Sequence, residues 1–341
     1  MVTKKSLNNS ASKRTVWHYQ PDTPVESSPL FHQSFKLKSI LLWYLRSWLP
    51  ISERMVILFL SIISWAFFHP SIERVVTLQF DWVSDIFLRN LLLMILVAGG
   101  LHLYLYTFKA QGNKRQYDTR PFSKNKRTFT FNNQVLDNMF WTCFSGVTIW
   151  SLYEAFMLWA IANGYAAVLP KNSELFWSIV IIFLIPIWET FYFYLIHRAL
   201  HWPPLYHFAH SLHHRNTNVG PWSGLSMHPF EHLVYLGSVC IHFIIPSNPL
   251  LIIFHLQYFT LSAVTTHAGH EAITVGDKNV LPLGTFHHQL HHRYFDCNYG
   301  GLEIPWDRWF GSFHDGSEES HQRFLEKRRR NANIQSHNLD S

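Results

Sequence analysis

Three histidine clusters in the second half of this sequence decide how the rest of the chain is interpreted. They are His197-Arg-Ala-Leu-His201, His210-Ser-Leu-His213-His214 and His288-Gln-Leu-His291-His292. Sixteen of the 23 histidines lie between His197 and His292. Packing alone gives no reason to collect so many polar rings, because each ring needs a hydrogen-bond partner when it is buried. Neutral imidazole is a good ligand for iron, zinc and copper, so the clusters predict a transition-metal site.

The spacing within the clusters favours two metal ions. On a helix, residues i and i+4 lie on one face, as do residues i and i+3, so His197 and His201 would point the same way. The neighbours His213 and His214 would diverge by about 100°, because an α-helix has 3.6 residues per turn. Each of them could therefore reach a different ion. The clusters also contain more ligands than one ion accepts, and we predict a two-metal centre.

The composition is typical of a membrane protein. Charged residues make up 15% of the 341 residues and aromatic residues make up 16%, whereas globular proteins average about 25% charged residues. A spanning helix needs roughly 20 mostly apolar residues, and four segments are candidates: 55–68, 86–108, 139–160 and 175–196. We therefore predict four transmembrane helices.

Lysine and arginine residues predict the orientation of these helices. The loop 109–127 contains seven basic residues, whereas the loops 69–85 and 161–174 contain one each. Because cytosolic loops carry the excess of positive charge, we expect both termini and His197 on the cytosolic side. Basic runs beside apolar spans indicate membrane topology, and no nucleic-acid partner is expected.

Two further apolar stretches, 233–246 and 249–266, are each marginal for a full crossing. Only Ser247 and Asn248 separate them. A hairpin over residues 233–266 that dips into the membrane would return His267 to the same side as His228, so that the clusters can share a site. His242 lies inside this hairpin, and its expected role is packing.

We predict an all-α integral membrane protein in which a cytosolic, histidine-rich helical cap holds two metals. The expected domains are a basic, disordered N-terminal tail (1–38) and a transmembrane helical region (39–196). A histidine-rich catalytic domain (197–312) with its membrane-dipping hairpin follows. The chain then ends in a disordered C-terminal tail (313–341).

The clusters and their surroundings resemble the fatty acid hydroxylase superfamily, which includes sterol desaturases and sterol methyl oxidases. The resemblance runs from Trp188 to Ser312, over a third of the chain. Beside the three clusters it includes Met-His228-Pro, Thr-His267-Ala-Gly and Trp306-Asp307-Arg-Trp-Phe-Gly-Ser. A proline after His228 is more similar to the sterol-type branch than to the fatty acid 2-hydroxylases.

This resemblance implies a non-haem di-iron centre that uses O2 to hydroxylate or desaturate a sterol or fatty acyl lipid. Two iron ions are the implied cofactor, O2 is the co-substrate, and electrons come from an external donor. Cytochrome b5 or ferredoxin with its reductase is such a donor. The implied location is the endoplasmic reticulum of a eukaryote or the inner membrane of a bacterium.

We expect ten histidines as metal ligands: His197, His201, His210, His213, His214, His228, His267, His288, His291 and His292. Further side chains are candidates for positioning the ligands, by analogy with residues that accept the second ring N–H of a metal-bound histidine: His207, His232, His270, His287, Glu189 and Asp307. Asp277 and Asp296 are weaker candidates for the same role. No other catalytic residue and no organic cofactor is expected.

Three other functions use the same residues differently. A metal transporter would place its polar residues along the spans, but the clusters lie outside them. A zinc hydrolase would need a His-Glu-x-x-His helix, which the sequence lacks. A non-catalytic metal-binding sensor would be indicated by a broken cluster, and all three clusters are intact. The transporter and the sensor stay as the alternative hypotheses.

Overall fold

Apolar runs that begin at capping side chains form several helices of this chain. In the computed structural model, which describes residues 17–31, 36–49 and 51–339, four serine, threonine or asparagine caps accept a hydrogen bond from a backbone N–H in the first turn of the following helix. They are Ser52, Asn133, Asn248 and Thr285. Such caps satisfy donors that have no partner within the helix. Two of the four begin helices that lead to predicted metal ligands.

The described chain is mostly helical. The first five helices are α1 (Leu37–Arg46), α2 (Glu53–Phe68), α3 (Phe80–Thr107), α4 (Gln134–Ala162) and α5 (Glu174–Leu200). The histidine-rich region contains α6 (203–214), α7 (Pro229–Leu236), α8 (Pro249–Thr266), α9 (Phe286–Tyr294), α10 (Trp306–Trp309) and α11 (Glu318–Leu339). Short 3-10 helices occupy Pro29–Phe31, Lys171–Ser173, Pro221–Ser223 and Gly237–Phe243. One antiparallel pair of strands, β1 (Ala272–Val275) and β2 (Lys278–Pro282), lies between α8 and α9.

Four described helices, α3, α4, α5 and α8, are long and apolar enough to cross a membrane. Three of them coincide with the predicted spans 86–108, 139–160 and 175–196. The remaining predicted span, 55–68, forms α2, whose 16 residues fall short of the roughly 20 that a crossing needs. The all-α membrane fold with four spanning helices is thus confirmed, with α8 in the place of α2.

α8 lies in the middle of the bundle and packs against α2, α4 and α5. Its apolar window is 83% buried by protein, whereas that of α5 is 28% buried. Ser61 and Ser64 of α2 hydrogen-bond to the side chain of Gln257 in α8, at 2.8 and 2.7 Å. This central position brings the C-terminal end of α8, and with it His267, beneath the histidine-rich helices.

The helical hairpin expected over residues 233–266 is built from two unlike arms. The first arm combines the end of α7 with the 3-10 helix Gly237–Phe243, and the second arm is α8. His242 and His255 join the arms, with 2.9 Å between His242 Nε2 and His255 Nδ1. These two histidines therefore pack the hairpin, whose depth in the membrane stays a prediction.

Both segments expected to be disordered tails contain ordered structure. In the predicted tail 1–38, residues 17–31 lie against the histidine-rich region: the Val25 N–H donates to Asp315 O at 2.9 Å, and the Trp17 ring lies 3.4 Å from the Arg293 guanidinium carbon. Residues 1–16 and 32–35 of that tail lie outside the described residues. In the segment 313–341, α11 buries Phe324 against Tyr294. Contacts to the histidine-rich region therefore order parts of both ends.

Gly224 permits the closest approach between the loop before α7 and the central helix α8. A Cβ atom at this position would lie 2.2 Å from the carbonyl oxygen of Ala263, a distance at which the backbone must move. Two residues later, Ser226 presents its carbonyl to one of the clustered histidines. The glycine therefore sets the distance between the loop and α8 on which the site depends.

Candidate metal centre

Nine of the ten predicted ligands converge into two adjacent groups, in each of which the ring nitrogens lie within 4.8 Å of one another. The first group is His197, His201, His210, His214 and His291. The second group is His213, His267, His288 and His292. All of these rings are buried except His201, which is half-buried.

Helix periodicity divides the cluster histidines between the two groups. On α6, His210 and His214 are four residues apart and join the first group, while His213 joins the second. On α9, His288 and His292 are four residues apart and join the second group, while His291 joins the first. Each adjacent pair therefore serves both groups, because neighbouring residues on a helix point in different directions.

Backbone carbonyls fix the tautomers of four of these histidines. A carbonyl oxygen can only accept, so each Nδ1 carries the proton and donates it. The pairs are His197 to Tyr299 O at 2.7 Å, His291 to Cys297 O at 2.6 Å, His267 to Ala263 O at 2.7 Å, and His213 to Ser226 O at 3.3 Å. A neutral imidazole with its proton on Nδ1 has a free lone pair on Nε2. These four lone pairs are therefore available inside the groups.

The distance between two such lone pairs tests whether a metal fits. His213 Nε2 and His267 Nε2 lie 3.3 Å apart, and neither nitrogen carries a proton to share. Two facing lone pairs repel each other, and a cation coordinated by both nitrogens would remove that repulsion. The donor set in both groups is neutral nitrogen, which suits iron, zinc or copper rather than magnesium or calcium.

Burial keeps these imidazoles in the neutral form that binds metals. It lowers the pKa of His214, His291 and His292 well below the usual value for histidine, and neighbouring imidazole groups lower it further. Burial likewise lowers the pKa of His267 to about 4, although its bond to the Ala263 carbonyl acts in the opposite direction. Because a charged imidazole has no free lone pair, this shift favours ligation at neutral pH.

One carboxylate orients a clustered histidine. Glu231 of α7 is 2% exposed, and its Oε1 accepts the Nδ1–H of His210 at 2.8 Å. A carboxylate in this position fixes the ring and makes Nε2 a stronger donor to a metal. Glu231 is difficult to select from the sequence, because only the packing of α7 beside α6 brings it to His210. The sequence offers one indication of this role, which is the position of Glu231 in the first turn of α7, three residues after His228.

Asp307 acts on the loop that holds two of the histidines. It is 1% exposed, and its carboxylate accepts the N–H groups of Tyr299 at 2.9 Å and Gly300 at 2.7 Å. The Tyr299 carbonyl in turn accepts from His197. Asp307 therefore positions a histidine through the backbone, whereas we expected it to contact an imidazole directly.

His228 does not join either group. Its ring caps α7, where Nδ1 accepts the N–H of Phe230 at 3.2 Å. The proline that follows His228 occupies the first position of the helix, which places His228 at the cap because proline has no N–H to be satisfied there. The structure thus gives this predicted ligand a helix-capping role.

We expect the substitution His228→Ala to leave the metal content unchanged, because the ring lies outside both groups. Loss of the cap should reduce the free energy of unfolding by about 1 kcal/mol. Elemental mass spectrometry of the purified variant, with thermal unfolding alongside, measures both quantities. Loss of half the metal or more would instead identify His228 as a ligand.

The other predicted positioning residues lie around the groups without contacting the convergent nitrogens. His232 bonds to Ser145 Oγ and Leu225 O, His270 packs on the edge of Tyr106, and His287 packs beside Phe313. His207 is exposed. Asp277 pairs with Lys114 and Asp296 with Arg328 at the surface. Glu189 lines a cavity that adjoins both groups.

That cavity runs between α5 and α8. From α5 it is lined by Glu189, Phe193 and His197, which are spaced four residues apart and so share a face. From α8 and its end it is lined by Tyr258 and His267, among others. The Phe193 ring stacks on the His197 ring with 4.7 Å between their centroids. This cavity therefore adjoins the convergent imidazoles.

The histidine-rich region matches a known protein family and several of its members. Residues 182–312 match the family model described as "Fatty acid hydroxylase". The chain is 33% identical over 141 residues to the Delta(7)-sterol 5(6)-desaturase of Eremothecium gossypii, a match that covers 41% of this chain and 39% of the relative. It is 35% identical over 120 residues to the Delta(7)-sterol 5(6)-desaturase ERG3 of Saccharomyces cerevisiae, covering 35% and 32% respectively.

A plant relative has a similar name and a similar degree of identity. The chain is 30% identical over 173 residues to the Delta(7)-sterol-C5(6)-desaturase of Nicotiana tabacum, a match that covers 47% of this chain and 59% of the relative. The chain thus covers between 32% and 59% of the length of these three relatives. No solved structure matches the chain. The resemblance expected from the histidine clusters is confirmed by the family model and these relatives.

Proposed function

We propose that the two histidine groups hold a non-haem di-iron centre that oxidises a C–H bond of a membrane lipid with O2, because residues 182–312 match the fatty acid hydroxylase family model. The names of the relatives favour a sterol as the lipid and a double bond as the product. The observation that carries this proposal is the 3.3 Å approach of two unprotonated nitrogens, His213 Nε2 and His267 Nε2, beside a cavity.

Bound iron would supply the oxidising chemistry, namely the activation of O2 for removal of hydrogen from an unactivated C–H bond. The chain supplies the geometry around it. Nine imidazole groups form the donor set, and five of them have an outward contact that fixes the ring: four donate to backbone carbonyls and His210 donates to Glu231. Rings held in this way cannot rotate their lone pairs away from the centre, so the ligand geometry exists before a substrate binds.

Residues of the cavity would align the lipid and exclude water. Phe193 covers the face of His197, and its ring also lies 6.0 Å from the ring of Tyr235. Leu200 and Ala263 add apolar surface near the ligands. A lipid carbon placed against these side chains would lie next to the imidazole groups without intervening solvent, as the oxidation of an alkyl group requires.

We also propose a cytosolic site, with electrons delivered by cytochrome b5 or by ferredoxin and its reductase. The basic loop 109–127 packs on the histidine-rich region: Tyr117 donates to Gly284 O at 2.8 Å, and Arg293 pairs with Asp118 at 2.8 Å. This contact supports the same membrane side for both, and basic loops favour the cytosol. The endoplasmic reticulum or a bacterial inner membrane would house such a protein.

Metal analysis and turnover of one preparation test the proposal. The full chain is purified in detergent, its metals are measured by elemental mass spectrometry, and a Δ7 sterol is supplied with O2, a reductase system and cytochrome b5. We expect close to two iron ions per chain and O2-dependent formation of a new double bond or hydroxyl group. Folded protein without bound metal would overturn the proposal, and metal-loaded protein that oxidises no lipid would favour the sensor.

A further inference from the structure

Residues 25–31, which we call the N-terminal strap, are bound to the histidine-rich region although they lie far from it in the sequence. They also lie outside the residues that match the family model. Ser28 and Phe31 of the strap are only 1% and 3% exposed. The Val25 N–H donates to Asp315 O at 2.9 Å. The strap is therefore an ordered part of the region around the site, and the proposed oxidation does not account for it.

Ser28 holds the loop that connects α9 and α10. Its N–H donates to Leu302 O at 3.0 Å, and its hydroxyl group donates to Glu303 O at 2.5 Å. The Ser28 Oγ also accepts the N–H of Leu30 at 3.3 Å, which fixes the serine side chain within the strap. Two consecutive carbonyls of the loop are therefore satisfied by one residue from the other end of the chain.

The carbonyls that Ser28 binds belong to the wall of the cavity beside the histidine groups. Residues 300–303 all line that cavity, as does His197 of the first histidine group. The Glu303 side chain forms an ion pair of 2.7 Å with Arg54 of α2, which also lines the cavity. A shift of this part of the loop would therefore change the shape of the space in which a lipid would lie.

The two ends of the same loop are held by different side chains. At one end, Asp307 accepts the N–H groups of Tyr299 and Gly300, and the Tyr299 carbonyl orients a histidine of the first group. At the other end, Ser28 holds residues 302–303, and neither of its bonds to the loop involves a histidine. The strap thus acts on the cavity wall, whereas Asp307 acts on the imidazole groups.

The strap is anchored on both sides of Ser28. Before it, Val25 packs in a cluster with two apolar residues of α9. After it, the Phe31 ring lies 5.0 Å from that of Phe313, and the Phe31 carbonyl accepts a hydrogen bond from Arg308. Because both flanks are attached to the histidine-rich region, the bonds of Ser28 tie the cavity wall to a fixed support.

We propose that Ser28 of the N-terminal strap is a positioning residue for the lipid: it holds Leu302 and Glu303 in the cavity wall and so determines how tightly the cavity binds its substrate. This inference rests on the proposed function for the use of the cavity, and it adds a residue from outside the family match. It separates lipid affinity from metal binding, since these depend on different ends of one loop.

Lipid binding and steady-state kinetics of matched variants test this role. Ser28→Ala removes the hydroxyl donor, whereas Ser28→Thr keeps it. Gln20→Ala is the matched control, because the exposed Gln20 side chain also donates to a backbone carbonyl, that of Gly316, at 3.3 Å. The full chain in lipid nanodiscs is titrated with the Δ7 sterol used above. Iron content, thermal unfolding, kcat and KM are measured for each variant.

We expect Ser28→Ala to raise the Kd and the KM for the sterol by about threefold to tenfold, as loss of one hydrogen bond that holds the cavity wall predicts. Its iron content and kcat should equal those of the wild type. Ser28→Thr should retain most of the wild-type affinity, and Gln20→Ala should retain all of it. A lower kcat or melting temperature of Ser28→Ala with an unchanged KM would show a merely structural role and overturn the inference, as would an equal rise of Kd in Gln20→Ala.

Turnover in the same samples separates this inference from the proposed function. Oxidation of the sterol with the same KM by wild-type and Ser28→Ala protein would overturn the role of Ser28 while the oxidase function stands. Iron-loaded protein that binds the sterol more weakly after Ser28→Ala, but oxidises no lipid, would support the positioning role and overturn the oxidase function.

Discussion

Replacement of both His213 and His291 by alanine is expected to remove the bound metal and the oxidising activity together. His291 belongs to the first histidine group and His213 to the second, so the double variant takes one nitrogen donor from each. Loss of an outer partner of a ligand already costs 10–100-fold in metal affinity or activity. We therefore expect the loss of a ligand from each group to lower activity by more than about a hundredfold. Iron per chain and sterol turnover are the two measurements.

A second double variant controls for the loss of two imidazole groups from the histidine-rich region as such. His228→Ala combined with His270→Ala removes two rings of the same region that lie outside both groups. It should keep its iron and most of its activity. Size-exclusion chromatography and thermal unfolding establish that both double variants are folded. A folded His213→Ala, His291→Ala protein that keeps two iron ions per chain would contradict the assignment of these groups as the metal site.

Much of the fold is predictable from the sequence because the apolar runs are long. Three of the four spanning helices coincide with segments found from composition alone. The exchange of α2 for α8 follows from helix length, which the apolar pattern alone does not determine: α2 has 16 residues, whereas α8 has 18. A periodicity of 3.6 residues also does not predict π-helical turns such as Ile95–Gly99 and Tyr206–His210.

The candidate site is predictable to the extent that it depends on side-chain spacing. The i, i+4 positions on α6 and α9 predict a shared face, and the structure brings nine of the ten expected histidines together. His228 departs from the prediction because the proline after it starts a helix, which turns the histidine into a cap. The carbonyls of Tyr299, Cys297 and Ser226 could not be predicted, since every residue has a carbonyl and only the loop conformation selects three of them.

Asp307 shows how such a loop is fixed. Its carboxylate accepts from the backbone N–H groups of Tyr299 and Gly300 and from the hydroxyl group of Ser312, at 2.9, 2.7 and 2.7 Å. The same loop presents the carbonyls of Tyr299 to His197 and of Cys297 to His291. One buried carboxylate therefore determines the orientation of a loop that holds two rings of the first group.

Asp307→Ala is expected to destabilise the protein and to weaken the first histidine group selectively. It leaves the N–H groups of Tyr299 and Gly300 without an acceptor, each worth about 1–3 kcal/mol, so we expect the free energy of unfolding to fall by about 2–4 kcal/mol after the loop relaxes. With the Tyr299 carbonyl released, metal affinity at the first group should fall by about 10–100-fold. Competition with a chelator should then remove one iron ion per chain before the other.

Asp296→Ala provides the comparison, because Asp296 is an exposed residue that precedes the same loop and its nearest charged partner is Arg328 at 3.6 Å. It should behave as the wild type in unfolding and in chelator competition. Asp307→Asn keeps one acceptor oxygen but places an NH2 group among backbone donors, so its effect should lie between those of alanine and aspartate. Simultaneous loss of both iron ions from Asp307→Ala, with unfolding unchanged, would show that Asp307 acts on the whole centre and not through the loop that carries Tyr299.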